Sequence, residues 1–257
     1  MKKILFPTDL SDVSVKGGAY AVAIAEKLKA DFHLYHVTIQ DAGQVEKKVK
    51  EVFDQLTRSV AGIKATYKVD SGFPVATITE EIKSFNADLV AMATRGEDRD
   101  ELNGIHLGSS AVAVMEKANC PVLIIPPDST YHDIKKMVLA LDIDKYSEAS
   151  VKQSVYLASQ FNAKLFIVYV ASSKSKVDDF AKVKDKLAKE ISYNNVEFLV
   201  KEGAHFLESI QELVNEEKAD ILVMTTYKRN ALTRFFDKSK TKKMAYVSEV
   251  PVLVLKG

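Results

Sequence analysis

Short apolar runs alternate along the whole chain with longer stretches in which apolar residues recur every third or fourth position. The first kind reads as buried strand, the second as amphipathic helix. Lys2-Lys3-Ile4-Leu5-Phe6-Pro7-Thr8-Asp9 is a strand closing on a polar turn, followed by a helix over Val13–Lys29 and a strand over Phe32–Val37. A charged helix is predicted near Val45–Val60, a strand near Lys64–Val69 and a third helix over Val75–Phe85. The segment from Asp88 to Pro126 then organises the first half. An apolar strand ends at Met92-Ala93, a polar loop carries Gly96 and Gly104, a helix opens on Gly108-Ser109-Ser110, and a last strand starts at Pro121.

The pattern then repeats. Without gaps, and at an offset of 133, residues 2–37 meet 135–170, with identities at Lys2, Lys3, Asp9, Ser14, Val22, Ala25, Ala30 and Val37. Eight identities are modest, so the shared order of elements carries the argument. Helices are predicted over Glu148–Phe161, Val177–Ile191 and Phe206–Glu217, and strands over Leu165–Val170 and Val196–Lys201. Both halves set Ala-Asp before an apolar strand (Ala87-Asp88-Leu89-Val90, Ala219-Asp220-Ile221-Leu222) and close on Pro121-Val122-Leu123-Ile124 or Pro251-Val252-Leu253-Val254. Strands alternating with helices of this length predict βαβ units and parallel sheets covered on both faces. A repeat this long is a domain duplication, not a solenoid. The expected domains are 1–127 and 134–257, joined by the linker PPDSTYHD from Pro126 to Asp133.

Composition narrows the field. At 257 residues the chain suits two domains, and a formal net charge of +1 exerts no global pull on nucleic acid or anionic membrane. The single cysteine, Cys120, excludes an internal disulfide and reads as a small buried thiol. The opening MKKILFPTDL has too short an apolar run for a signal peptide, and no stretch approaches a membrane helix, so a soluble cytoplasmic protein is expected.

Chemistry is expected at the carboxyl ends of the strands, where open parallel sheets bind ligands. The turn FPTDLSD has no glycine, which argues against a dinucleotide fold, and neither a P-loop nor a G-x-S-x-G elbow occurs. The helix opening on Gly108-Ser109-Ser110 offers unpartnered backbone N–H groups and the positive end of its dipole, and a phosphate is expected there.

The opening KKILFPTDLSD, the strand and loop ADLVAMATRG, HLGSS and the closing ANCPVLIIP resemble the universal stress protein family in tandem form, over essentially the whole length. The resemblance implies two adenine-nucleotide-hydrolase-like α/β domains, each with a five-stranded parallel sheet. It also implies a nucleotide site for ATP or AMP, with Mg²⁺ if ATP, made by Pro7, Thr8, Asp9, Val37, Met92, Ala93, Arg95, Gly96, Gly108, Ser109 and Ser110. Asp9 and Val37 would lie at the adenine and ribose end, and Gly96, Gly108, Ser109 and Ser110 would hold phosphates. Two departures mark this chain. Ala93 stands where the family's first glycine would be, adding a methyl where a ligand would approach, and residues 97–107 form a segment two longer than the family's, with Glu97, Asp98, Asp100 and Glu101 set against Arg95 and Arg99. In the second half Thr225, Lys228 and Lys238 replace the glycines and only Ser239 and Asp142 remain, so that motif reads as degenerate.

The basic segment 228–243 reads as a solvated face, with an acidic partner as the alternative. Family members dimerise through their final strands, which implies an internal pseudo-dimer through PVLIIP and PVLVLK; a further homodimer is open. His33 and His36 fall on opposite faces of a strand and cannot share a metal; His106 falls in the glycine loop and His205 just before a helix. Gly17 and Gly18 suggest close helix–sheet packing, and the hydroxyls of Thr8, Ser11, Thr94, Ser109 and Ser110 have no general base at a recognisable spacing. The function expected is nucleotide-dependent stress regulation. A nucleotide-free protein-interaction module and a slow ATP hydrolase are the alternatives.

Overall fold

The computed structural model describes residues 1–39, 41–94, 109–144, 146–171, 173–203, 206–226 and 249–256. The chain forms two compact units that divide at His132–Asp133. In the amino-terminal unit the elements are β1 (Lys3–Thr8), α1 (Asp12–Leu28), β2 (Asp31–Thr38), α2 (Ala42–Thr57), β3 (Ala65–Ser71), α3 (Pro74–Ser84), β4 (Leu89–Ala93), α4 (Ser109–Lys117) and β5 (Val122–Ile125). The strands lie in the order β3-β2-β1-β4-β5. The pairings of β1 with β2 and β4, of β2 with β3 and of β4 with β5 are parallel. This is the five-stranded doubly wound sheet that the alternation of patterns predicts.

Local chemistry fixes these elements. Ile4, Leu5 and Phe6 of β1 are fully buried, as a strand covered on both faces requires. Helix α1 begins at Ser11, whose hydroxyl accepts from the Ser14 N–H, and ends at Lys29 in the left-handed region. Its buried face carries Tyr20, Ala21, Ile24 and Ala25. Helix α2 starts three residues before the predicted Val45, because the Asp41 carboxylate accepts from the Gly43 N–H and caps a turn that carries no apolar signal.

The carboxy-terminal unit repeats the arrangement: β6 (Lys136–Ala140), α5 (Glu148–Phe161), β7 (Lys164–Ala171), α6 (Lys174–Glu190), β8 (Val196–Glu202), α7 (Phe206–Glu217), β9 (Ile221–Thr226) and β10 (Val252–Lys256). Its order is β10-β9-β6-β7-β8, again parallel. The duplication reaches single atoms. The Asp88 carboxylate accepts from the Lys2 and Lys3 N–H groups at 2.7 and 3.1 Å, and Asp220 does the same for Lys135 and Lys136 at 2.6 and 2.8 Å. Lys3 Nζ donates to the Phe85 carbonyl and Lys136 Nζ to that of Glu217. Among the described residues no helix is long and apolar enough to cross a membrane.

Candidate functional site

The turn after β1 is held by its own side chains. His36 Nδ1 lies 2.8 Å from the Thr8 carbonyl; a carbonyl only accepts, so the imidazole carries its proton on Nδ1. The Thr8 hydroxyl accepts from the Leu10 N–H at 3.0 Å and meets the Ser14 hydroxyl at 2.8 Å. Asp9 Oδ1 accepts from the Ser11 N–H at 3.0 Å and from the Ser11 hydroxyl at 2.6 Å. Leu10 takes a positive φ of 65°, a conformation an unbranched-Cβ residue holds only when its neighbours fix it. A carboxylate thus does lie within reach of one of the hydroxyls, contrary to the sequence reading. That bond closes the turn, and the serine's lone pair caps α1.

This turn forms one wall of a cleft of about 350 Å³ at the carboxyl ends of β1, β2 and β4. Strand order reverses between β1 and β4, so the cleft occupies the position where open α/β sheets take ligands. The polar lining groups, Thr8, Asp9, Ser11, Ser14, Thr94 and Ser110, all come from β1, α1, β4, α4 and their adjoining turns, where they alternate with Pro7, Val13, Met92, Ala93 and Ala111. The apolar side is contributed by Val37 and Tyr35 from β2, with Pro74 and Ile78 from α3. Among the described lining residues none is a cation. An anion here would be held by hydroxyls and by the N–H groups that begin α4.

A polar chain running from the buried Tyr35, His33 and Glu81 to the exposed Lys68 fastens α3 to the sheet. The Tyr35 hydroxyl donates to Asp70 at 2.6 Å, and Lys68 Nζ bridges Asp70 and Glu81 at 2.8 Å each. Glu81 Oε1 lies 3.5 Å from His33 Nε2, while His33 Nδ1 meets the Thr66 hydroxyl at 2.8 Å and its ring stacks on Phe85. Burial pushes the Tyr35 phenol far above its ordinary value, and the hydrogen bond to Asp70 adds to this. Burial also lowers the His33 value, against the opposing charge of Glu81 and with the help of Lys68. For Asp70 burial acts upward, but the bonds from Lys68 and Tyr35 outweigh it and hold the carboxyl below its usual range.

Of the residues singled out from sequence, Pro7, Thr8 and Asp9 at the end of β1, Val37 on β2, Met92 and Ala93 on β4, and Ser110 on α4 all line this one cleft. Ser109 is the first residue of α4. Arg95, Gly96 and Gly108, with the acidic residues, Arg99 and His106 of the same loop, lie outside the described residues. So do His205, Lys228, Lys238, Ser239 and the rest of the basic segment. The methyl of Ala93 is accommodated by the helix: a Cβ on Gly17 would lie 2.6 Å from the Ala93 Cβ, so α1 leaves the space that this methyl fills. Gly18 makes room chiefly for Leu56 of α2, a helix–helix contact more than the helix–sheet one expected. His33 and His36 are both buried, and Cys120 is a buried free thiol. Sequence reasoning missed Tyr35, Pro74 and Ile78, whose apolar character looks like ordinary core until α3 is placed over β2.

The model of the universal stress protein family matches residues 1–126 and 133–256. A universal stress protein of Methanocaldococcus jannaschii is 31% identical over 145 residues, 48% of this chain and 81% of that protein. The crystal structure of a universal stress protein from Archaeoglobus fulgidus aligns over 99% of this chain and 98% of its own, with a TM-score of 0.80 at 22% identity. The cytoplasmic domain of a prokaryotic cation chloride cotransporter shares the fold at a TM-score of 0.60 and 12% identity, over 99% of this chain and 95% of that one.

Proposed function

This chain belongs to the universal stress protein family, and on that premise we propose that its amino-terminal unit binds an adenine nucleotide, ATP or AMP, in a regulatory or sensing role. The observation that carries this reading is the two-sided cleft at the reversal of strand order. A nucleotide has a flat, largely apolar end and an anionic end, and the cleft sets an apolar side from β2 and α3 against one that carries its serine and threonine hydroxyls and Asp9. Its volume of about 350 Å³ falls within the ordinary range for small-ligand sites, roughly 300–1,000 Å³.

In this reading Val37, Pro74 and Ile78 take the base, and Asp9 accepts from the ribose hydroxyls. Ser110 and the N–H groups in the first turn of α4 take the phosphates. The fixed turn matters here: Thr8 and Asp9 are already oriented by His36, Leu10 and Ser11, so little ordering is left for the ligand to impose. With ATP, Mg²⁺ would arrive on the phosphates, since that ion keeps several waters and binds few protein groups.

Two measurements test the reading. Purified protein is heat-denatured and the supernatant analysed for adenine nucleotides, and the unliganded protein is titrated calorimetrically with AMP and with ATP plus Mg²⁺. Saturable binding is expected. A clean supernatant, together with no heat and no thermal shift at millimolar nucleotide, would reject it in favour of a nucleotide-free interaction module. Steady phosphate release from ATP would instead make the protein a hydrolase.

A further inference from the structure

We propose that Phe73 and Ile39 form an apolar clasp at the mouth of the cleft, and that it grips the aromatic base of the bound nucleotide. The inference rests on the nucleotide reading above. Ile39 is 88% exposed and Phe73 85%, whereas the next large apolar side chain among the described residues, Tyr156, is 45% exposed. Single exposed apolar residues are commonplace. These two are neighbours: β2 and β3 end side by side, Thr38 is in register with Ser71, and the Gly72 N–H donates to the Thr38 carbonyl at 2.9 Å.

The turn that displays Phe73 is constructed. Gly72 has a φ of 154°, and a Cβ there would lie 2.7 Å from the Thr77 hydroxyl oxygen, so the position requires glycine. The Phe73 carbonyl accepts from the Thr77 N–H and the Thr77 hydroxyl, both at 3.0 Å, and Pro74 starts α3. The backbone that carries the ring is therefore anchored at the head of a helix.

Chain order places both residues next to the cleft's apolar lining. Tyr35 and Val37 line the cleft from one face of β2, and Ile39 is the next residue in that alternation, just past the strand's end. Pro74, which lines the cleft, follows Phe73 directly. Magnitude favours a small ligand over a macromolecule. Two such side chains offer only roughly 300–400 Å² between them, whereas a stable protein interface buries roughly 1,200–2,000 Å². A purine face matches the smaller figure, and aromatic stacking on bases tolerates any base.

The chain contains no tryptophan, so Phe73→Trp introduces a single reporter. The unaltered protein is first titrated with AMP by calorimetry; absence of binding there removes the nucleotide reading and the clasp with it. Given binding, the emission of the Phe73→Trp protein is expected to be quenched as AMP is added, with a midpoint equal to that variant's own calorimetric affinity. Phe73→Ala is expected to weaken AMP binding about ten-fold, and Ile39→Ala by a smaller factor, with thermal unfolding unmoved because both side chains are exposed. Unchanged tryptophan emission at saturating AMP, or undiminished AMP affinity in both alanine variants, would overturn the proposal while leaving the nucleotide reading intact. Altered self-association in the alanine variants at undiminished AMP affinity would do the same and assign the patch to a second copy of the chain.

Discussion

Gly17 and Ala93 are complementary halves of one contact. A methyl on Gly17 would approach the Ala93 Cβ to 2.6 Å, closer than packed carbons come. Gly17→Ala therefore sets a gain in helix propensity of about 1 kcal/mol against an overpacking cost of about 1–3 kcal/mol. Net destabilisation is expected by urea unfolding. In an Ala93→Gly background the obstructing methyl is gone, and the same Gly17→Ala change is expected to stabilise. A cycle with no coupling between the two sites would show that α1 simply moves away. The glycine pair was legible in the sequence as a close approach; its partner was not, because the contact joins segments 76 positions apart in the chain. His33 makes a second residue-scale case. Burial holds its folded-state value below that of the unfolded chain, about 6.5, despite Glu81. As pH falls through about 6.5 the unfolded chain takes up a proton that the folded imidazole refuses, so stability declines below that point and is unaffected by this group above it. His33→Gln, which can keep a hydrogen bond to Thr66, is expected to flatten the decline in urea midpoint between neutral pH and the folded-state value. An unchanged slope would place the proton uptake elsewhere.

At the scale of elements, the two units share the device that docks the end of a helix to the start of a strand. Asp88 follows α3 and grips the first N–H groups of β1; Asp220 follows α7 and grips those of β6. Each pair is a charge-assisted bond at a sheet end partly open to water, so Asp88→Ala and Asp220→Ala are each expected to cost about 1–2 kcal/mol. Because each carboxylate holds its own pair of N–H groups, the double variant should lose the sum. A cost confined to one of the two, measured by chemical denaturation, would show that the duplicated geometry is not duplicated in energy. Strands and helices were legible because short apolar runs and a three-to-four residue period are physical consequences of burial on two faces or one. Helix starts were less so: α2 begins on a polar cap at Asp41, and apolar periodicity is silent there. The cleft's polar side could be read as a motif. Its apolar side could not, since Tyr35, Pro74 and Ile78 converge only when α3 crosses β2.

Across the whole molecule, duplication of the fold does not carry duplication of the chemistry. In the first unit the turn after the opening strand presents Thr8, Asp9 and Ser11. At the matching positions of the second it presents Leu141, Asp142 and Asp144. Leu141 is fully buried and supplies no hydroxyl, Asp144 adds a second carboxylate to the turn, and the helix-capping role of Ser11 passes to Ser147. The Asp144 N–H donates to Asp142 at 3.1 Å, and Lys176 Nζ is paired with Asp144 at the same distance. That lysine is thus engaged by a side chain of its own unit. Lys176 offsets the charge of Asp144, while Asp142 still disfavours a polyphosphate by Coulomb repulsion, on the order of 1–4 kcal/mol per close pair near a protein surface. Calorimetric titration of the intact chain with AMP is accordingly expected to saturate at one nucleotide per chain. Asp144→Ser, which removes the second carboxylate, is not expected to raise that number, because the buried leucine still denies the turn its hydroxyl. A stoichiometry of two in the unaltered protein would mean that the second unit binds nucleotide through chemistry different from that of the first.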